Sequence, residues 1–372
     1  MSDRSNIKTK KRWVVKVGSA LLTNDGEGLH QPTIIELAEQ IAFLRNNGIE
    51  VILVSSGSVA AGVSQLGMTS RPSRVDELQA AAAVGQASLV RHYEQAFKPF
   101  DIHTAQVLLT HSDIANRERY LNARSTLLRL LELNVLTVVN ENDTVATDEI
   151  CFGDNDSLGA LVANLVGADL LLVLTDQDGL YTADPRTNPT ATLLHEVNAG
   201  DESLMGMASG GTSLGRGGMV TKLSAAQIAS RSGASTIIAN GRETRVLERI
   251  YSGELLGTLL TARDRVTSRK QWMAGQMKVV GKVVIDDGAV NVLRQSGKSL
   301  LPVGVEEIEG DFKRGELISC VNRAGDEIAR GLSSYSAEDA RLIMGKASAV
   351  IRELLPFAPD DELIHRDNLV LL

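Results

Sequence analysis

At 372 residues, with 43% hydrophobic and 23% charged residues, the chain is long enough for two or three domains and too apolar to be disordered throughout. Its aromatic share of 3% argues against a base-stacking platform, and its net charge of −8 against non-specific binding to nucleic acid or anionic membranes. No apolar run reaches the ~18 residues that span a bilayer. The N-terminal MSDRSNIKTKKR carries five basic residues and one acid with no apolar stretch behind it, and reads as a solvated tail, not a secretory signal. Cys151 and Cys320 form no CxxC pair, so neither a disulfide framework nor a zinc site is expected, and a reducing cytoplasm is the default setting.

In chain order, the run WVVKV (13–17) predicts a buried strand ending at Gly18. Residues 33–47 place Ile34, Leu37, Ile41 and Leu44 on one helical face, with Gly48 as the stop. EVILV (50–54) predicts a second strand running into SSGS, followed by helices over 57–66 and, in an Ala-rich stretch, 76–98. Further strands are predicted at 104–109, 135–139, 169–174 and 235–239, with helices near 119–133, 156–166 and 219–232. This alternation predicts an α/β fold, a three-layer αβα sandwich on a mainly parallel sheet, with ligands at the carboxyl ends of the strands. The pattern changes after 262. The polar, basic stretch 263–276 reads as a linker, and the short Val- and Ile-rich segments from 277 to 365 predict a small β-rich domain with one helix near 336–345.

Several familiar motifs are missing. SGKS at 296–299 has Val292 where a P-loop needs its first glycine, and no GxGxxG, HExxH or DFG occurs. The six histidines are scattered and are expected in surface or core roles, not as metal ligands. Polar clusters at predicted strand ends remain. Lys16 sits inside an apolar strand, where a charge is costly without a partner. Ser55-Ser56-Gly57-Ser58 opens a helix whose N-terminus favours an anion, although an ordinary βα turn would look the same. Asn140–Thr144 and Gly153–Asp156 are two acid-and-amide clusters close together, suited to gripping an amino group, orienting Mg²⁺ or positioning lysines. TDQDGLYTADP (175–185) follows an apolar strand and could meet a nucleotide. GRGGMVTK (215–222) is a Gly-rich loop opening a helix and could cradle phosphates, with Lys222 as a second cation. Two lysines, an acidic cluster and a Gly-rich loop without a P-loop point to phosphoryl transfer by another architecture, where positioning and charge neutralisation do most of the work.

These same runs carry a resemblance. VVKVGSALLT, VSSGSVAAG, NRERYLNAR, VNENDTVAT with FGDNDSLGA, TDQDGLYTADPR and GRGGMVTK resemble the amino acid kinase family over residues 12–262. Within the family they resemble the branch that phosphorylates the γ-carboxylate of L-glutamate, with NRERYLNAR (116–124) and VNENDTVAT (139–147) the more specific runs. Residues 277–365 resemble a PUA-type domain. The resemblance implies a cytoplasmic enzyme that uses ATP and Mg²⁺ and catalyses the first step of proline biosynthesis. It also implies inhibition by proline at a site overlapping that of glutamate, and a homo-oligomer, a tetramer or dimer. Carried over residue by residue, Lys16 and Lys222 are the implied catalytic lysines, with Asp156 holding them. Ser56, Asp143 and Asn155 are the implied glutamate contacts. Lys16, Thr175, Asp176 and the loop Arg216, Gly217, Gly218, Met219, Val220, Thr221 and Lys222 form the implied ATP site, Arg216 through its backbone only.

Three rival readings stand beside this one. PUA-type domains often bind RNA, but residues 276–372 carry a net charge of −4, against the basic face expected of an RNA reader. The same phosphate machinery could serve another acceptor: aspartate, N-acetylglutamate, a nucleotide or carbamate. A non-catalytic sensor would keep the pocket, but has no reason to keep both lysines and the acids.

Overall fold

The computed structural model describes residues 3–23, 28–146, 155–209, 218–262, 279–296, 298–355 and 360–371. The chain divides into two compact units, one of residues 1–112 with 124–268 and one of residues 113–123 with 269–372. The linker expected over 263–276 lies outside the described residues.

The first unit is built on an eight-stranded sheet: β1 (Arg12–Val17), β2 (Glu50–Ser55), β3 (Thr104–Leu109), β4 (Leu136–Glu141), β5 (Leu170–Thr175), β6 (Glu196–Asn198), β7 (Ser235–Asn240) and β8 (Thr258–Thr261). The order across the sheet is β3-β4-β2-β1-β5-β7-β8-β6, and every pairing is parallel except β7 with β8. Every residue of β4 and β5 is buried, so both faces are covered, as the expected αβα layering requires. Trp13, Ile41, Tyr93 and Phe97 are among the largest side chains in this core.

The topology decides where chemistry can happen. From β1 the chain builds outward through β2 and on to β3 and β4, then crosses to β5 on the other side of β1. The carboxyl ends of β2, β1 and β5 therefore flank a topological switch point, the usual crevice for ligands in such sheets. Gly57 makes the exit from β2 possible. Its φ of +101° lies in the left-handed region, and it is the residue before helix Ser58–Gln65. That helix meets helix Val75–Phe97 backbone to backbone, since a Cβ on Gly85 would lie 1.9 Å from the carbonyl oxygen of Ser58.

The N-terminal segment overturns the reading of a solvated tail. It forms a short 3-10 helix, Asp3–Thr9, with Ile7 fully buried in the main core. The Arg4 guanidinium, 2% exposed, donates to the carbonyls of His195, Glu254, Leu256 and Gly257 at 2.8–3.0 Å. Four carbonyl partners meet the cost of burying that charge, and composition alone could not reveal them.

The second unit contains a five-stranded sheet of order β10-β9-β11-β12-β13: β9 (Gly281–Ile285), β10 (Val305–Gly310), β11 (Leu317–Val321), β12 (Glu327–Leu332) and β13 (Leu369–Leu371). Its core includes Phe312, Ile318, Cys320 and Tyr335. It is β-rich as expected, but the single expected helix is corrected. Beside Ala337–Ile343, helices form at Asp287–Ser296 and Ser348–Leu354. DGAVNVLRQS alternates well enough to read as strand. It becomes helix because Asp286 Oδ1 accepts the Ala289 amide at 2.6 Å, and Val290 and Leu293, three apart, are both buried.

Candidate active site

Lys16 lies on the central strand β1, opposite Val54 of β2 and Val173 of β5. The stem of Lys16 runs along helix Asp156–Val166, where a Cβ on Gly159 would sit 3.4 Å from that of Lys16. The Lys16 ammonium reaches Asp156 Oδ1 at 2.5 Å. Lys222, from helix Met219–Ser230, donates to the other carboxylate oxygen at 2.9 Å, and Thr221 Oγ1 donates to that oxygen at 3.1 Å. Asp156 is fully buried and each lysine is 4% exposed. Asp156 also opens its helix, where the dipole favours a negative charge. Lys16, Asp156 and Lys222 carry a net charge of +1 between them, so an anion entering here would be attracted and would relieve the mutual repulsion of the two cations.

The first turn of helix Met219–Ser230 adds to that attraction. Gly218 caps it in extended conformation, and amides at a helix start have no intrahelical acceptor. The single proton of Thr221 Oγ1 is shared between Asp156 and the Gly218 carbonyl, 2.7 Å away, which fixes this turn beside Asp156. Arg216 and Gly217 lie outside the described residues. On the next strand, Thr175 ends β5 and donates from Oγ1 to Asp176 Oδ1 at 3.1 Å. Asp176 is exposed, and Asn240 at the end of β7 donates to Asp178 at 2.9 Å. The carboxyl ends of β5 and β7 thus carry a polar rim.

A second group lies behind the end of β2. Ser58 donates from Oγ to Asp143 Oδ2 at 3.0 Å. Burial pushes the Asp143 carboxyl above the ordinary aspartate range, with the Ser58 hydrogen bond and the charge of Arg71 opposing that shift. Asn155, immediately before Asp156, donates from Nδ2 to the Ser55 carbonyl and to Asn140 Oδ1, both at 2.6 Å. Asn140 in turn donates to Gln86 Oε1 at 2.6 Å. Ser56 is buried between these groups in sequence, and its carbonyl accepts from Ser55 Oγ.

Of the residues expected from sequence, Lys16, Asp156, Thr221 and Lys222 form one bonded cluster, Asn155 joins it through its neighbour Asp156, and Asp143 is bonded separately to Ser58. It missed Ser58 as the partner of Asp143, although SSGS contained it. It also missed Asn140 and Gln86 as a paired support for Asn155. Asn140 stood inside a quoted cluster, whereas Gln86 carried no signal in its Ala-rich helix. The NRERYLNAR segment has other contacts. Within the second unit Arg117 pairs with Glu316 at 3.4 Å, Arg314 donates to Asn122, and Gly315 packs on Arg117.

Among the described residues no three His, Cys, Asp or Glu side chains gather to hold a metal ion. Mg²⁺ commonly keeps several waters and is held through substrate phosphates, so it could enter with a nucleotide without such a cage. Among the described residues no helix is long and apolar enough to cross a membrane. A separate groove of about 670 Å³ lies elsewhere, lined by Glu36, Glu39, Phe43, Phe100 and Glu248 among others. Its acids suit it poorly to an anion.

Comparison with known proteins speaks to the family and the fold. The sequence model of the Amino acid kinase family matches residues 11–240, and that of the PUA domain residues 281–355. The chain is 57% identical over 371 residues to a protein named Glutamate 5-kinase from Pseudomonas entomophila (strain L48), covering 99% of this chain and 100% of the relative. Identity is 59% to the protein of the same name from Burkholderia thailandensis (strain ATCC 700388 / DSM 13276 / CCUG 48851 / CIP 106301 / E264), with the same coverage. Among solved structures, the carbamate kinase from Giardia lamblia bound to AMP-PNP aligns with a TM-score of 0.51 at 17% identity, covering 69% of this chain and 100% of that one. At that identity the likeness speaks for the fold alone.

Proposed function

The chain belongs to the amino acid kinase family, and from that premise we propose that it transfers the γ-phosphoryl group of MgATP to the γ-carboxylate of L-glutamate, giving L-glutamyl 5-phosphate and ADP, the first step of proline biosynthesis. The observation that carries the chemistry is the buried pair of ammonium groups on one carboxylate, Lys16–Asp156–Lys222. The acceptor rests on the full-length identity to relatives that bear that name.

A carboxylate is already ionised at neutral pH, so the nucleophile needs no general base. The γ-carboxylate oxygen forms its bond to the γ-phosphorus as the bond from that phosphorus to the β,γ-bridging oxygen breaks in line, and the electron pair leaves on ADP. Charge spreads over the three phosphoryl oxygens, and lysines placed on both sides stabilise it. Asp156 orients both ammonium groups and keeps them apart from each other. In this reading Thr175, Asp176, Gly218, Met219, Val220 and Thr221 line the nucleotide site, with Arg216 and Gly217 continuing it. Ser56, Asp143 and Asn155 hold the amino acid end of glutamate. Proline inhibits from an overlapping site, and the working enzyme is a homo-oligomer.

Asp143 allows a test of the acceptor site in which stability and affinity move in opposite directions. Its carboxyl is raised by burial, so above that raised pKa the folded state carries a desolvation cost that the unfolded chain lacks. Asp143→Asn should therefore raise Tm at pH 7–8, by an amount that shrinks as pH falls through the raised pKa. The same change should raise the glutamate KM at least about tenfold, the scale of one charge-assisted hydrogen bond. Thermal melts across pH and initial-rate kinetics read both effects, and an unchanged glutamate KM would remove Asp143 from the site.

The function itself is tested with MgATP and a panel of acceptors: L-glutamate, L-aspartate, N-acetyl-L-glutamate, carbamate and UMP. Hydroxylamine traps any acyl phosphate while ADP is followed in parallel. Hydroxamate from L-glutamate alone, suppressed by proline, is the expected result. Turnover of another acceptor would keep the phosphate site and void the roles of Ser56, Asp143 and Asn155 as glutamate contacts.

A further inference from the structure

Counting donors and acceptors behind the acceptor site exposes a constraint on Asn155. Its amide has two N–H donors and one oxygen. Both donors are used, on the Ser55 carbonyl and on Asn140 Oδ1. The group Asn155 has left to offer is therefore its Oδ1, an acceptor suited to an ammonium group. The Ser55 carbonyl holds one of these donors in place, and Asn140 holds the other by turning its oxygen towards Asn155. Asn140 does so because its own Nδ2 donates to Gln86 Oε1. If Asn140 flipped, it would present N–H to the Asn155 amide nitrogen, and the clash could be relieved only by turning Asn155 against the Ser55 carbonyl, with its oxygen inward and its N–H outward, against a cation.

Gln86 is the end of this chain of amides. It is 8% exposed on helix Val75–Phe97, and its Nε2 is buried with no hydrogen-bond partner among the described residues. Gln86 is therefore held through the oxygen that faces Asn140. A buried donor without a partner is costly, and a glutamine kept in that state needs a reason. One turn-pair further along the same helix, Tyr93 hydrogen-bonds Ser55 Oγ at 2.9 Å, so this helix supports both neighbours of Asn155.

We propose that Gln86 is a positioning residue for the amino acid substrate, fixing through Asn140 the orientation in which Asn155 accepts a hydrogen bond from the substrate α-ammonium group. This rests on the acceptor reading given above. Gln86 does not touch the reacting atoms, so its loss acts on substrate affinity and leaves the phosphoryl-transfer step nearly intact.

The test uses the full-length enzyme with MgATP and L-glutamate. Gln86→Met keeps the length of the side chain and removes the accepting oxygen. The expected result is a glutamate KM raised about tenfold, the scale of one misplaced polar contact, with kcat and the ATP KM within about threefold of wild type. Gln86→Glu keeps an accepting oxygen in either protonation state and should hold the glutamate KM near wild type. A merely structural role would not give the third readout: in an Asn155→Ala background, Gln86→Met should add nothing further to KM. The relay is overturned if Gln86→Met leaves the glutamate KM within twofold, if Gln86→Glu fails as badly as methionine, or if the two losses add in full. Should Gln86→Met not fold, Gln86→Leu, which also lacks the accepting oxygen, takes its place in the same cycle with the same outcomes. Wild-type turnover of glutamate is the control: without it both readings fall, and with it a wild-type KM in Gln86→Met overturns the relay only.

Discussion

Replacing Lys16 by methionine should lower kcat about a thousandfold, the scale on which a preorganised charge at a transferring phosphoryl group acts, while thermal stability stays level or rises. The stem of methionine can occupy the lane along Gly159, so packing is kept. The charge is what disappears. Asp156 and Lys222 would remain as a one-to-one pair at 2.9 Å, free of the second cation, and two like charges facing one carboxylate are costlier to bury than one. An enzyme that melts as high as wild type and barely turns over separates catalysis from folding. A variant with near-normal kcat would take Lys16 out of the reaction.

Asp156→Leu should fail in both respects. The carboxylate is fully buried between two ammonium groups that are each 4% exposed, and removing it leaves like charges together in a poorly solvated site. Breaking a buried ion pair in this way costs about 3–5 kcal/mol. At roughly 2 °C per kcal/mol for a unit of this size, Tm should drop by about 6–10 °C, with activity lost. Adding Lys222→Met to Asp156→Leu removes one of the stranded charges. It should recover a large part of the lost Tm and none of the activity. Recovery of neither would mean that Asp156 supports the fold through contacts other than the lysines, and differential scanning calorimetry of the three variants decides it.

The parts of this architecture that could be read from sequence are those whose physics is local. β1, β2, β4, β5 and β7 are buried on both faces, which demands unbroken runs of Val, Leu and Ile such as LLLVL. Lys16 stood out because a charge inside such a run must be compensated. The short strands Glu196–Asn198, at the sheet edge, and Thr258–Thr261, beside it, carry no such run and are not legible in the sequence. The helix Asp287–Ser296 reads as strand from sequence because GAVNVL fits both periods, and the deciding cap from Asp286 is a single hydrogen bond. Ile7 and Arg4 looked like part of a charged tail because their partners lie some two hundred residues away.

The site divides in the same way. Lys16, Asp156 and Lys222 are chemically conspicuous and sit at element ends, and the resemblance to a family assigned them roles. Gln86 is conspicuous only in three dimensions. In an Ala-rich helix a glutamine reads as a solvent-facing residue, and only its contact with Asn140, more than fifty positions away, gives it a role.

The claim that a glutamate oxygen attacks the γ-phosphorus is tested most directly by isotope transfer. L-glutamate carrying ¹⁸O in both γ-carboxyl oxygens is incubated with enzyme, MgATP and hydroxylamine, and the released inorganic phosphate is analysed by mass spectrometry. Hydroxylamine attacks the acyl carbon, so the bridging oxygen leaves with phosphorus. One ¹⁸O in each phosphate, matched in amount to ADP and hydroxamate, is the result predicted here. Phosphate without ¹⁸O, formed as fast as ADP, would mean that water and not glutamate is the nucleophile, and would contradict the account.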